Sequence, residues 1–326
     1  MTETMTALFG GQGPDWVARE VPVPEPGPGQ VLVRTHAVAL NNADPQMLAE
    51  FDTPGSDNEY VAGYEFAGDI AALGPGTHNL TVGDRVMGTA PSSFAQFVLA
   101  DYRHVIAMPD NLQYNEATAL PTALLTEHGA LMLAGYTPGQ TVLITAATSG
   151  IGLLGVQIAK ALGAAAVIGT TRSPGKEDVL IKAGADTVVV TTNRNLTDAV
   201  LEATEGRGVD VVLDHAGGQT LAACLPATRD GGHLVNIGRL DAAQSTIDLD
   251  ALSYRHLHLH GASFGFGRAE ELGNVIAALA DEVMPAVADG RIRPVIDSIY
   301  PFVEASDAAH RMRSGNTVGK IVMPMP

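Results

Sequence analysis

A glycine-rich turn between an apolar run and a helical pattern constrains the fold of this chain most strongly. Gly150, Gly152 and Gly155 spell Gly-Ile-Gly-Leu-Leu-Gly. Residues 141–149 come before them as an apolar, β-branched run that predicts a buried strand, and residues 153–164 follow with a helical pattern. A strand, a glycine turn and a helix in this order predict a βαβ unit in a parallel sheet.

Each glycine of the turn has a predicted role. Gly150 permits the tight turn, Gly152 lets backbone N–H groups approach a pyrophosphate, and Gly155 lets helix and strand pack closely. The helix N-terminus adds a partial positive charge that attracts an anion. The alternative is an ordinary glycine turn in an α/β protein. The context favours a dinucleotide site that comprises Thr148, Ser149, Gly150, Ile151, Gly152 and Gly155.

The remainder of the chain divides into a β-rich part and an alternating part. Residues 21–30 are a proline and glycine loop before a half-buried strand. From about residue 121, strands alternate with helices of about ten residues, and six candidate strands fit two mononucleotide-binding halves. After Phe264, a helix over about 268–290 and a tail do not extend this series. We therefore predict a dinucleotide-binding domain over residues 122–262 and a discontinuous domain over residues 1–121 and 263–326.

Composition excludes several classes of function. The net charge of the 326 residues is −17, which repels nucleic acid and anionic membrane surfaces. No run approaches the roughly 20 apolar residues of a membrane span. The first ten residues lack the pattern of a secretory signal, so we expect a cytoplasmic protein. Cys224 is the only cysteine, which excludes an intrachain disulfide and a zinc site with several thiolates; a buried, inert thiol is expected.

The residues after the second strand of the alternating part indicate the cofactor. In NAD enzymes an acidic residue about 20 positions past the glycine turn binds the ribose 2′-hydroxyl. Residues 169–176 contain no acid here, but they contain Arg172, Ser173 and Lys176. A guanidinium, a hydroxyl and an ammonium suit a 2′-phosphate, which favours NADPH over NADH. The alternative is a solvated loop with scattered charge.

Several segments together resemble a known family. PVPEPGPGQVLVR, GPGTHNLTVGDRVMG, the glycine turn, KALGA, KAGADTVV, GRGVDVVLD, GGHLVNIG and VGKIV follow one another in the order found in the medium-chain dehydrogenase/reductase superfamily. Within it the chain resembles the zinc-free quinone oxidoreductase branch. The resemblance implies an α/β fold: a Rossmann doubly wound parallel sheet plus a discontinuous, GroES-like, β-rich catalytic domain. It also implies an active site in the cleft and a homodimer.

The chain departs from zinc-dependent relatives at the metal ligands. Those relatives have Gly-His-Glu where Gly63, Tyr64 and Glu65 stand here, so Tyr64 replaces the histidine. The catalytic cysteine and the four-cysteine structural lobe are also absent. The resemblance and the cysteine count therefore both predict that no catalytic metal is bound.

The resemblance also assigns catalytic candidates. Asn41 and Asp44 match a polar pair that lines the family's cleft, where Asn41 would donate to a carbonyl oxygen and Asp44 would orient a water or a donor. Their alternative is a pair of turn-forming residues. Tyr64 would hydrogen-bond the substrate oxygen or donate a proton, the alternative being a packing tyrosine. Thr126 matches a threonine close to the nicotinamide, and His128 is expected to be an ordinary helix residue.

Further cofactor contacts are implied by the family alone. They follow the fifth and sixth candidate strands or lie in the C-terminal segment, and they are Ile237, Gly238, Arg239, Ser263, Phe264, Gly265 and Lys320.

An alternating histidine run indicates an interface. His256, His258 and His260 would share one face of a strand. In the family the corresponding edge strand pairs with its symmetry mate, so the resemblance implies a homodimer through residues 256–260; binding of adventitious metal is the alternative.

Three functions fit these features. Without a metal, hydrogen-bond donors must polarise the substrate oxygen. The leading hypothesis is an NADPH-dependent reductase of quinones or α,β-unsaturated carbonyl compounds that acts on a small electrophilic substrate by hydride transfer. The alternatives are a zinc-free carbonyl or alcohol oxidoreductase, and an NADPH-binding protein with little catalysis.

Overall fold

The computed structural model describes residues 3–50 and 59–326, which fold into two compact units. Unit 1 contains the described part of residues 1–122 together with residues 266–280 and 294–326. Unit 2 contains residues 123–265 and 281–293. Among the described residues, no helix is both long enough and apolar enough to cross a bilayer.

The strands are numbered in chain order. They are β1 (Thr4–Gly10), β2 (Val17–Pro22), β3 (Gln30–Ala39), β4 (Tyr60–Val61), β5 (Glu65–Leu73), β6 (Arg85–Thr89), β7 (Phe97–Asp101), β8 (Val105–Ala107), β9 (Thr141–Ile144), β10 (Ala166–Thr171), β11 (Thr187–Val190), β12 (Val209–Asp214), β13 (Thr228–Asn236), β14 (His258–Gly261), β15 (Ile296–Ile299) and β16 (Lys320–Pro324).

The α-helices are numbered in the same way, and short 3₁₀ helices occur at Tyr102–His104, Phe266–Arg268 and Phe302–Glu304. The α-helices are α1 (Ala43–Glu50), α2 (Tyr114–Ala117), α3 (Pro121–Leu133), α4 (Gly150–Ala161), α5 (Glu177–Ala183), α6 (Leu196–Ala203), α7 (Gly218–Ala227), α8 (Leu249–Tyr254), α9 (Ala269–Glu282), α10 (Met284–Ala288) and α11 (Ala305–Arg313).

Unit 2 is built on a six-stranded parallel sheet in the order β11-β10-β9-β12-β13-β14. The chain moves outward from β9 to β11, then crosses back to β12 and moves outward again. Parallel crossovers are right-handed in nearly all proteins, so this reversal is expected to place the later helices on the opposite face. Accordingly α4 packs with α5, and α6 packs with α7. This sheet confirms the predicted Rossmann doubly wound fold.

Local sequence explains the elements of unit 2. The β9 side chains Val142, Leu143 and Ile144 are completely buried, as expected for a strand covered on both faces. Asn195 caps α6 by accepting a hydrogen bond from the Asp198 amide. Gly184 ends α5 in the left-handed conformation with φ 106°. Cys224 is buried as predicted, and burial raises the pKa of its thiol.

Unit 1 contains two mainly antiparallel sheets. One has the order β2-β1-β4; the other has the order β15-β16-β3-β5-β6-β8, with β7 also paired to β3. Phe66 and Phe94 are completely buried in its core, and Trp16 meets Phe94 edge to face at 5.4 Å. Because β16 pairs with β3, the C-terminal segment completes a sheet formed by the N-terminal third of the chain.

Two predicted boundaries differ from the structure. The predicted loop over residues 21–30 starts late, because Val21 pairs with Met5 and β2 continues to Pro22. An edge strand tolerates a proline, which cannot donate to a ladder. The predicted helix over about 268–290 is broken between α9 and α10, where Pro285 lies in the first turn of α10. Proline cannot continue a helix but is suited to starting one.

Residues 281–293 pack with unit 2, whereas the predicted boundary at residue 263 keeps them with the discontinuous domain. Gln157 on α4 holds Arg293 through two hydrogen bonds, because its Nε2 donates to the Arg293 carbonyl at 2.9 Å and its Oε1 accepts from the Arg293 amide at 2.8 Å. The sequence pattern carries no sign of this long-range contact.

The predicted position of His256 on the edge strand is wrong. β14 begins at His258, and His256 has φ 51° in the turn before it. A left-handed residue closes the turn that follows α8, so it cannot continue an extended strand. His233 of β13 joins the histidine face instead, and its ring stacks on His258 at 4.5 Å and on His260 at 5.4 Å.

Candidate functional site

The glycine turn in unit 2 has the predicted order of strand, turn and helix. β9 ends at Ile144 and α4 begins at Gly150. Ser149 is the N-cap of α4, and its Oγ accepts a hydrogen bond from the Gly152 amide at 3.1 Å. The amides of the first turn of α4 therefore converge on one end of the helix, where its dipole favours an anion.

Gly150 and Gly155 differ from their predicted roles, while the predicted approach of a pyrophosphate to Gly152 stays a prediction. The left-handed residue of the turn is Ala146, with φ 46°, and not Gly150. At Gly152 a Cβ would lie 2.7 Å from Ala147 Cα, so the helix approaches the preceding loop too closely for a side chain. At Gly155 a Cβ would overlap Glu127 Oε2 of α3. The predicted packing of Gly155 against the strand is therefore wrong: Gly155 makes room for a carboxylate.

The carboxylate of Asp214 accepts hydrogen bonds from three segments at the carboxyl edge of the parallel sheet. Its Oδ1 accepts from Thr145 Oγ1 at 2.8 Å, immediately after β9. Its Oδ2 accepts from the Gly217 amide at 3.0 Å and from Asn236 Nδ2 at 2.8 Å. Sequence reasoning missed Thr145 and Asn236. The signal available was position, because each lies at the C-terminal end of a predicted strand.

The other predicted cofactor residues of unit 2 lie at the same edge of the sheet, because the carboxyl ends of parallel strands share one edge. Residues 172–176 follow β10, and Arg172 is exposed. Residues 237–239 follow β13, where the Ile237 and Gly238 amides donate to the Asp214 carbonyl at 2.8 and 3.0 Å. Residues 263–265 follow β14, and the Phe264 ring lies against Gly129.

A second polar cluster lies in unit 1, where Lys320 is found. Lys320 Nζ donates to Glu65 Oε2 at 2.6 Å and to Asn41 Oδ1 at 2.8 Å. Asn41 Nδ2 donates to Glu65 Oε2 at 3.0 Å, and Glu65 Oε1 accepts from the Thr122 amide at 2.7 Å. Asp44 Oδ2 accepts from the Asn41 amide at 2.7 Å. We call these residues the unit 1 polar cluster.

Strand pairing explains why the cluster forms. Val322 of β16 pairs with Ala39 of β3, so the antiparallel register places Lys320 beside Asn41. Glu65 starts β5, which pairs with the same end of β3. The Lys320 and Glu65 side chains are 4% and 0% exposed, so the pair is buried and each charge depends on the other. Sequence reasoning placed Glu65 in the segment that replaces the zinc ligand but gave it no role.

Asp44 has one buried oxygen, Oδ1, without a hydrogen-bond partner among the described residues. Burial raises the pKa of this carboxyl to about 7 and the charge of Glu65 adds to the effect, while the Asn41 amide and the Lys320 charge oppose it. A carboxyl with such a pKa is suited to proton transfer near neutral pH.

Tyr64 is half-buried in unit 1. Its ring stacks on Phe266 with 5.9 Å between centroids, and its hydroxyl donates to Met47 Sδ. Burial raises the pKa of the Tyr64 phenol, and the charge of Asp44 adds to this. The phenol is thus a protonated donor on a weak acceptor, which a better acceptor can replace.

Thr126 lies on α3 in unit 2 and is 9% exposed. Its predicted contact with the cofactor stays a prediction. Across residues 3–50 and 59–326, no group of three or more His, Cys, Asp or Glu side chains is placed to hold a metal ion.

Two family models match the chain. Residues 27–110 match the alcohol dehydrogenase GroES-like domain, and residues 150–281 match the zinc-binding dehydrogenase family. The first match lies in unit 1 and confirms its predicted GroES-like character.

Solved structures of similar fold cover nearly the whole chain. A mycobacterial quinone oxidoreductase is 27% identical, with a TM-score of 0.86 over 98% of this chain and 99% of that one. A mycobacterial protein complexed with NADPH is 28% identical, with a TM-score of 0.86 over 98% and 99% of the two chains. The CurK enoyl reductase is 25% identical, with a TM-score of 0.85 over 99% and 100%.

Curated relatives are far longer than this chain. The spectinabilin polyketide synthase system protein NorB of Streptomyces orinoci is 34% identical over 92% of this chain and 13% of its own length. Mycoketide-CoA synthase of Mycobacterium tuberculosis is 32% identical over 92% of this chain and 7% of its own length. The chain thus spans a small part of these relatives. Together with the two family models and the fold, they show that the chain belongs to the medium-chain dehydrogenase/reductase superfamily of oxidoreductases, and within it the chain resembles the zinc-free branch.

Proposed function

We propose that this chain is an NADPH-dependent, zinc-independent reductase that transfers hydride to quinones or α,β-unsaturated carbonyl compounds. One observation carries the proposal: Arg172, Ser173 and Lys176 follow β10, the strand beside the glycine-turn strand β9, and residues 169–176 contain no acidic side chain. The similarity to a mycobacterial protein complexed with NADPH supports it.

The residues of unit 2 fit such a cofactor. The N-terminus of α4 would offer backbone amides to the pyrophosphate, and Gly152 lets this helix end lie close to the preceding loop. Arg172 is exposed after β10 and would hold the 2′-phosphate, with Ser173 beside it. Residues 237–239 and 263–265 would line the remainder of the site. When bound, the nicotinamide supplies the hydride.

The residues of unit 1 would act on the substrate oxygen. Asn41 Nδ2 uses one N–H for Glu65, so its second N–H is available to a substrate carbonyl oxygen. The cluster holds the side-chain amide of Asn41 in one orientation, since Lys320 Nζ donates to Asn41 Oδ1. Tyr64 would exchange Met47 Sδ for the substrate oxygen, and Asp44 would supply or accept a proton nearby.

Zinc independence is supported by the ligand set. Tyr64 occupies the position of the zinc-dependent relatives' histidine, and Cys224 is the only cysteine in the chain. A phenol and a single thiol that lies buried elsewhere do not form a catalytic zinc site.

A conjugated acceptor is supported by the similar proteins, which include a quinone oxidoreductase and an enoyl reductase. The curated relatives are polyketide synthases, so an α,β-unsaturated acyl thioester belongs among the substrates tested.

A homodimer is part of the proposal. β14 is the last strand of the unit 2 sheet, and its outer edge has no strand neighbour among the described residues. Leu259 on β14 and Leu249 and Tyr254 on α8 are 40%, 65% and 80% exposed. An unpaired edge with apolar side chains suits a second copy of the same strand.

Oxidation of NADPH in the presence of a quinone, an enone, an enoyl thioester, and a simple ketone tests the proposal. We expect turnover of at least one conjugated acceptor and a clear preference for NADPH over NADH. Arg172→Ala should reduce that preference about tenfold, which corresponds to one charged hydrogen bond. Arg194→Ala is the matched control, because Arg194 is a surface residue of unit 2 that pairs with Glu202. Turnover of the ketone alone, or of no acceptor, would refute the reductase proposal.

A further inference from the structure

Helix α3 carries two adjacent side chains that belong to separate acid–histidine pairs, both within unit 2. His128 Nε2 lies 2.8 Å from Glu282 Oε2, and the Glu282 side chain is 54% exposed. Glu127 Oε1 lies 2.8 Å from His215 Nε2, and these side chains are 0% and 5% exposed. The first pair reaches solvent, whereas the second is buried.

The Glu127 carboxylate depends on the charge of His215. Among the described residues neither Glu127 oxygen accepts a hydrogen bond of good geometry, and the 2.8 Å contact with His215 Nε2 is an ion pair. A buried carboxylate without donors needs an opposite charge. Burial by itself lowers the pKa of His215, but the charge of Glu127, the short contact that its carboxylate makes with the imidazole, and the charge of Asp214 outweigh burial and leave that pKa raised.

The pair contacts two segments of the candidate cofactor site. Glu127 Oε2 occupies the space that a Cβ of Gly155 would take, so the carboxylate touches α4. Gly155 is five residues beyond Gly150, about 7.5 Å along the helix axis from the anion-binding end. His215 follows Asp214, and its carbonyl oxygen occupies the space that a Cβ of Gly238 would take. The pair therefore connects α3, α4 and the loop after β13.

We propose that Glu127 and His215 are positioning residues for NADPH, and that the proton on His215 controls the affinity for this cofactor. The inference rests on the proposed function. The charged groups that face His215 are Glu127 from α3 and Asp214 from β12. The neighbouring His128 pairs with Glu282 instead. Loss of the His215 proton leaves two buried carboxylates behind the helix end that receives the phosphates, which repel them. Affinity therefore falls as the pH rises through the pKa of His215.

Calorimetric titration of the whole protein with NADPH tests this inference at a series of pH values from about 7 upward, where the 2′-phosphate is already ionised. We expect the dissociation constant of the wild type to rise about tenfold over this range, with proton uptake on binding at the alkaline end. His215→Gln should bind weakly at every pH, and Glu127→Gln should bind tightly at every pH. His128→Gln is the matched control and should keep the wild-type profile.

The outcomes are distinguishable. A flat wild-type profile, or the same flattening in His128→Gln as in His215→Gln, overturns the inference. The wild-type measurement needs no substitution. If a single variant fails to fold, the double variant Glu127→Gln/His215→Gln removes both charges together. A pH-dependent affinity for NADPH in that double variant also overturns the inference. Absence of NADPH binding by the wild type at any pH refutes the proposed function instead.

Discussion

At the residue scale, Lys320 is the side chain with the largest expected effect on stability. Its ammonium is buried against Glu65, so Lys320→Met leaves a buried carboxylate without its counter-charge. We expect the free energy of unfolding to fall by about 3–5 kcal/mol, measured by urea denaturation. Lys160→Met is the control, because the Lys160–Asp186 pair is 36% and 43% exposed. That variant should change stability by less than about 1 kcal/mol. Equal effects of both substitutions would contradict a buried pair.

Asp44 gives a pH prediction at the same scale. Its pKa is about 7 in the folded protein, against an ordinary value of 3.8. The folded state therefore holds a proton that the unfolded state has released, so this group destabilises the fold as the pH rises from about 4 to about 7. Asp44→Asn removes this loss and should be more stable than the wild type at about pH 8, by a few kcal/mol at most.

The control for Asp44 is Asp84, a carboxyl whose pKa is shifted in the opposite direction by folding. Asp84 is exposed, and hydrogen bonds from Thr81 hold the pKa of its carboxyl below the ordinary value. Its stabilisation is present above that ordinary value and is lost as the pH falls. Asp84→Asn should therefore lose a little stability at neutral pH, and unfolding curves recorded at several pH values separate the two cases. A parallel response of both variants would contradict the assignment for Asp44.

At the element scale, Gly152 and Gly155 test how α4 packs. A Cβ at Gly155 meets the carboxylate of Glu127, which is buried against His215 and cannot move away easily. Gly155→Ala should destabilise the protein by about 1–3 kcal/mol. In a double-mutant cycle with Glu127→Ala, the two losses of unfolding free energy should not add, because Glu127→Ala removes the carboxylate that the new Cβ would overlap.

Gly152→Ala is the comparison for that cycle. Its Cβ would meet Ala147 Cα at 2.7 Å and the Ala146 carbonyl oxygen at 3.0 Å, which belong to the backbone of the loop. Removal of the Glu127 side chain does not change this contact with the loop backbone. The losses of unfolding free energy for Gly152→Ala and Glu127→Ala should therefore add. Chemical denaturation of the single and double variants measures both cycles, and identical coupling in the two would contradict the packing described.

Sequence patterns predicted the elements better than their ends. The runs over β5, β6 and β9 were readable because alternation or continuous apolar character reports burial directly. The conformations of Pro22 and His256 could not be predicted from local patterns, because an edge position and a left-handed turn depend on neighbours that are distant in sequence. In the candidate site, Asn41 and Lys320 were named singly, whereas their shared partner Glu65 appears only when β3, β5 and β16 pair.

At the scale of the whole molecule, self-association is the property to measure. Leu259→Glu and Tyr254→Glu place a charge on the proposed dimer surface, and charge repulsion with its symmetry mate should convert a dimer into a monomer in sedimentation velocity. Val303→Glu is the control, because Val303 is 77% exposed and belongs to unit 1, whereas β14 belongs to the unit 2 sheet. A sedimentation coefficient that is the same for all three variants and the wild type would contradict association through β14.

The sequence by itself determined the order of strands and helices, the dinucleotide turn, and the absence of an acidic side chain from residues 169–176. These features are local, because periodicity and residue type report burial and turn chemistry within a few positions. Only the tertiary structure decided what the glycine turn packs against, and it brought Glu127 behind Gly155 and Lys320 onto Glu65. Those pairings join residues separated by tens to hundreds of positions, and they arise from sheet register and helix packing, which no single segment encodes.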